Sequence, residues 1–159
     1  MSEKTKRLAA LLSYYGAPLY GSTSIGKRVP MPERVLVDAL VASHKESVFA
    51  LVLPVVLWKL RTSLNLEFLR ELALKRGESR SLGFFLDMTG TLGKSPKLCQ
   101  QANSFRKVRM KQVYFFNEGT TSYGKKLAAL RTPDVARKWN FLMNMTMDSF
   151  ASSFQKAVV

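Results

Sequence analysis

The chain has 159 residues, 47% of them apolar, with one cysteine and a formal net charge of +14. That length and apolar content suit one folded domain with a real core and exclude global disorder, while a single cysteine excludes an intrachain disulfide framework and a multi-cysteine zinc site. A positive excess of this size attracts polyanions over long range but does not specify a fold.

Residues 1–31 read as an N-terminal helix and loop, and residues 32–159 as a helical core domain whose C-terminal half is basic. Over residues 3–15, Leu8, Leu11, Leu12 and Tyr15 share one helix face. Lys4, Lys6 and Arg7 crowd its start, where positive charge opposes the helix dipole. The apolar run that follows is too brief for a signal peptide, so a cytoplasmic protein is expected. Residues 16–30 are rich in Gly, Ser, Thr and Pro and read as a loop with room for one short strand. Pro32-Glu33 opens a helix, because proline and glutamate both suit a first turn. Its stripe is Val35, Leu36, Ala39 and Leu40, and it ends near His44.

Val48 to Trp58 is the most apolar segment and is closed by Lys59 and Arg61. A bilayer span takes about 20 residues, so a buried helix kinked at Pro54 is expected and no membrane partner. The stretch from Asn65 to Gly90 organises the rest. Asn65 suits an N-cap, and Leu66, Leu69, Leu72 and Ala73 follow at helical spacing. Gly77 stops this helix after the basic turn Lys75-Arg76. A second short helix carries Leu82, Phe85, Leu86 and Met88, with Gly90 as its expected end. Such a pair buries its apolar stripes together.

Residues 96–104 form another short helix. Val108 to Phe116, rich in aromatic and branched residues, suits a strand, and 117–121 a turn. Two helices follow at 122–130 and 133–139. Phe150 and Phe154 make an i, i+4 docking pair in a last helix. The expected class is mainly α: a compact multi-helix domain with at most a small β element.

No catalytic constellation emerges. Gly90-Thr-Leu-Gly93-Lys94-Ser95 resembles a phosphate-binding loop, but that motif needs glycine where Met88 stands and a strand before it. Gly21-Ser22 resembles the opening of nucleotidyltransferases, yet Asp38 is too distant and Leu40 stands where a second metal-holding carboxylate belongs. His44, the one histidine, has no identifiable partner and suits a helix C-terminus. The carboxylates Glu46, Glu67, Glu71, Asp87 and Asp148 read as scattered on helix surfaces and ends. A non-enzymatic protein without cofactor or metal is expected.

The positive charge is more informative. From residue 91 onward twelve Lys or Arg stand against Glu118, Asp134 and Asp148. In an extended segment, Lys107, Arg109 and Lys111 share one face and Val108, Met110 and Gln112 the other. With Arg106 they form a row suited to phosphate, which gives affinity with little base specificity. Tyr114, Phe115 and Phe116 suit either base stacking or a core. Lys125, Lys126, Arg137 and Lys138 are further candidate contacts.

Three pieces resemble a known family. Pro32-Glu33-Arg34-Val35-Leu36-Val37-Asp38-Ala39-Leu40 is similar to the Glu-Arg-Thr-Leu-hydrophobic-Asp helix of AbiEi-type antitoxins, with Val35 in place of threonine. The Leu66 to Gly90 block resembles their following helix pair, and Arg137 to Asn144 their closing Trp-x-hydrophobic-x-Asn element. Residues 1–31 are too few for the family's winged helix, so the likeness is to the C-terminal domain. It implies a nucleotidyltransferase toxin as partner and regulation of an operon. The chain thus reads as a basic nucleic-acid-binding or regulatory protein, DNA or RNA its partner. The alternative is an interaction module that docks an acidic protein without nucleic acid.

Overall fold

The computed structural model describes residues 2–21, 23–116 and 121–158. Its first half is a run of five helices: α1 (Glu3–Tyr14), α2 (Pro32–Ser43), α3 (Ser47–Leu60), α4 (Leu66–Lys75) and α5 (Ser79–Leu92). After α6 (Pro96–Asn103) come β1 (Val113–Tyr114), α7 (Ser122–Arg131), α8 (Asp134–Lys138), β2 (Phe141–Leu142) and α9 (Met147–Val158). The protein is mainly helical, as composition and periodicity predict. No helix among the described residues is long and apolar enough to cross a membrane.

Side-chain caps set several helix starts. The Asn65 Oδ1 accepts from the Phe68 amide at 3.1 Å, the cap predicted for α4. Serine or threonine does the same for α1, α6 and α7 through Ser2, Ser95 and Thr121. Gly77 ends α4 with φ +72°, and the Gly77 and Glu78 amides return to the Leu74 and Ala73 carbonyls. Those two bonds make a Schellman stop. The α3 helix runs without interruption through Pro54, which is buried with its neighbours.

The centre is α5, buried at every position from Ser81 to Gly90. It packs against α3, α4, α6 and α8. Gly90 does not end it; the helix continues to Leu92. The glycine is needed for close approach, since a Cβ there would lie 2.7 Å from the Cys99 Sγ of α6. The α1 leucines Leu8, Leu11 and Leu12 enter the same core cluster as α2 and α5. Phe150 and Phe154 dock α9, and Phe154 meets Trp58 of α3 at 5.8 Å between ring centroids.

The strand expected over 108–116 shrinks to Val113–Tyr114, which pairs in parallel with Phe141–Leu142. The partner strand offers only two residues, so the ladder stops there, and the preceding segment bends at Val108. Val108 is fully exposed rather than facing a core, and the two-faced alternation expected of 107–112 is absent. Residues 16–21 and 23–30 carry no strand. Of the expected turn at 117–121, residues 117–120 lie outside the described residues, as does Ser22 of the Gly-Ser pair.

Candidate nucleic-acid interface

The basic segment is a strap fastened through its backbone and its aromatic ends. Phe105 is buried beside α5, where Gly83 makes room: a Cβ on Gly83 would lie 2.9 Å from the Phe105 Cβ and 2.4 Å from the Trp139 ring. The Arg70 guanidinium covers the Phe105 ring at 4.5 Å, a cation–π contact. Arg80 donates from Nη1 to the Lys111 carbonyl at 2.5 Å. Asn140 Nδ2 donates to the Met110 carbonyl at 2.6 Å. Beyond the strap, the Val113 and Phe115 amides donate to Asn140 and Leu142, and the Phe116 amide to the His44 carbonyl.

These fastenings use main chain and leave the cations outward. Arg106, Lys107, Arg109 and Lys111 are all exposed, and none meets a carboxylate among the described residues. Lys107 and Lys111 line a cavity of about 210 Å³ with Arg80, Leu74, Phe105 and Met110. Arg80 is held over the Phe141 ring at 4.4 Å. Burial lowers its guanidinium from the ordinary value, and Glu78 opposes that shift. An arginine stays charged under such a change.

The aromatic residues after the strap divide. Phe115 is buried against Phe141 at 4.7 Å and against Phe84 and Phe85, so base stacking by Phe115 is excluded by the core. Tyr114 is half-buried, with the Lys125 Nζ 5.8 Å above its ring. Lys125 and Lys126 are both exposed on α7. Arg137 is exposed but donates to the Ala129 carbonyl of α7. The structure therefore brings Lys107 and Lys111 to one cavity and Lys125 to Tyr114. No contact among the described residues joins Lys126 or Arg137 to the strap.

Lys138 belongs elsewhere. Its ammonium pairs with Asp87 at 2.9 Å and donates to Asn103 Oδ1 at 3.0 Å. Asp87 is a buried side chain of α5, not the surface carboxylate expected from the sequence, and the Trp139 Nε1 donates to the same Oδ2 at 2.9 Å. Lys138 thus balances a buried charge instead of standing free for phosphate. Charge density does not single out Arg70, which stands between Leu69 and Glu71, or Arg80, which stands between two serines. The sequence does carry a signal for Asp87: one carboxylate inside the apolar run Phe84-Phe85-Leu86-Asp87-Met88.

His44 does have partners. It is the C-cap residue of α2, and its Nε2 lies 2.9 Å from Glu78 Oε2 and 3.0 Å from Ser81 Oγ. Its ring stacks on Phe115 at 4.4 Å. Burial raises the Glu78 carboxyl, but hydrogen bonds to His44 and Ser81, with the charges of His44 and Arg76, together outweigh it and hold the group below its usual value. Serine and carboxylate meet the same ring nitrogen, whereas a nucleophile relay needs them on opposite nitrogens. The cluster is a fastening between α2, α5 and the chain before α7. Among the described residues no group of three or more His, Cys, Asp or Glu is placed to hold a metal ion. No protein-family model, curated protein or solved structure matches the chain.

Proposed function

We propose that the chain is a non-enzymatic nucleic-acid-binding protein of the cytoplasm, and that residues 106–111 supply its main phosphate contacts. One observation carries this reading: four exposed cations that meet no carboxylate among the described residues, on a strap whose backbone is already fastened. Cations balanced by internal acids gain little from phosphate, and cations on a loose chain lose entropy on binding. This row avoids both costs. Arg80 and Lys125, each held at an aromatic ring, flank it.

The test is a salt titration of DNA and RNA binding by the wild type and by the variant with Arg106, Lys107, Arg109 and Lys111 all changed to Gln. The log–log slope should fall by about 0.7–0.9 for each phosphate the variant no longer neutralises, across unrelated sequences. Wild-type affinity and slope in a folded quadruple variant would discard the interface.

An antitoxin-like regulatory role, with a nucleotidyltransferase toxin as partner, belongs to the same proposal and rests on the resemblance of residues 32–40, 66–90 and 137–144. A second reading, docking of an acidic protein without nucleic acid, is favoured by Val108, wholly exposed between the cations. An apolar tip suits a protein groove better than a phosphate backbone. Absence of any salt-dependent nucleic-acid binding, together with tight binding to an acidic protein, would select it.

A further inference from the structure

A second polar–apolar site lies away from the strap, where the end of α3 and the starts of α4 and α6 meet over α5. It is a cavity of about 460 Å³. Five leucines line it, among them Leu57, Leu86 and Leu98, whose side chains are buried and make its floor. Arg61, Thr62 and Lys97 are exposed at its rim, and among the described residues no carboxylate lines it.

Arg61 is set in place before any ligand arrives. Its guanidinium lies 3.8 Å from the Trp58 ring centroid, and Nη1 donates to the Trp58 carbonyl at 2.7 Å. Trp58 is fixed in turn against Gly93, where a Cβ would lie 2.2 Å from the indole. The other guanidinium N–H groups have no partner among the described residues. Lys97 sits in the first turn of α6, whose partial positive charge adds to both cations.

We propose that this cavity binds a small amphipathic anion, of the chemical class of medium-chain carboxylates. The volume falls within the range of about 300–1,000 Å³ usual for small-molecule sites, which combine an apolar lining with a few placed polar groups. A bare inorganic anion leaves the leucine floor uncovered. A neutral hydrocarbon leaves Arg61 and Lys97 unused. An anionic head on an apolar body of several carbons satisfies both halves. Among the described residues no aromatic face lines the cavity for a nucleobase to stack on.

The test uses the full chain and octanoate, followed by leucine methyl NMR. Saturable shifts concentrated on Leu57, Leu64, Leu86 and Leu98 are expected. Inorganic phosphate and 1-octanol should each bind at least about tenfold more weakly, since each lacks one half of the complementarity. The pair Arg61→Gln and Lys97→Gln should weaken octanoate by about tenfold or more, with the melting temperature kept. Phosphate binding as tightly as octanoate would reduce the site to an anion patch, and equal binding of octanol to an apolar crevice; either overturns the proposal. So do shifts that never saturate or that spread over the whole basic surface. Because the ligand comparison is made on the wild type, it decides the matter even if the double variant fails to fold.

Discussion

Asp87 shows how one side chain ties charge to packing. Its carboxylate is buried in α5 and receives both the Lys138 ammonium and the Trp139 indole N–H at 2.9 Å. Changing Lys138 to Met should destabilise the protein by about 3 kcal/mol, the lower end of the range for an orphaned buried charge, because the indole bond persists and Lys138 is partly exposed. Urea unfolding measures this, and a loss below about 0.5 kcal/mol, the size of an ordinary surface substitution, would mean that water serves Asp87 equally well. Glu78 gives the pH signature. Its carboxyl sits below its ordinary value of 4.5, so the native state binds this proton more weakly than the unfolded chain does. The stabilisation is therefore complete above about pH 4.5 and disappears as pH falls through the lower folded value. Glu78→Gln should lower the melting temperature at pH 6 and flatten its decline between pH 5 and 3. An unchanged acid slope would remove Glu78 from the account. None of these partnerships follows from spacing. His44 and Glu78 are 34 residues apart, and Asp87 and Trp139 are 52 apart.

Helices are the legible elements; strands and the strap are not. The Asn65 cap, the Gly77 stop and the Phe150–Phe154 pair depend on neighbours within a few residues, so local chemistry fixes them. The β1–β2 pair depends on a partner 28 residues away, and its two rungs leave no alternation to read. The strap misleads for the same reason: Lys107, Arg109 and Lys111 are exposed as expected, but no sheet face directs them. Of the candidate site, the exposed cations can be named from sequence; the commitment of Lys138 to Asp87 and the contributions of Arg70 and Arg80 need the fold. The α5 helix offers the sharpest test of packing at this scale. Gly83→Ala sets a methyl 2.4 Å from the Trp139 ring, too close for contact. Helix propensity favours alanine by about 1 kcal/mol, while overpacking costs about 1–3 kcal/mol. A net destabilisation is expected, with loss of the near-ultraviolet signal of Trp139, and a more stable variant would show that the indole can move aside.

At the scale of the whole molecule, one core cluster joins residues of α1 to α6 with those of α8, β2 and α9. Leu69, fully buried where α4 meets its neighbours, should cost about 2–5 kcal/mol when changed to Ala. Thermal melting checks this, and an unchanged midpoint would contradict the burial. The all-round burial of α5 also bears on how the chain emerges from a ribosome. Residues 79–92 leave the exit tunnel long before Trp139 and Phe150, the late side chains that cover them. At roughly 5–20 residues per second, the 52 residues from Asp87 to Trp139 take about 3–10 s. During that interval a helix destined for burial on every side is open on one of them, with an uncompensated carboxylate in its middle. A chain released after Pro133 should accordingly remain sensitive to protease and require a chaperone to stay in solution, while the complete chain resists digestion. Synthesis of residues 134–154, which carry Trp139, Phe150 and Phe154, is the step expected to close this window for aggregation.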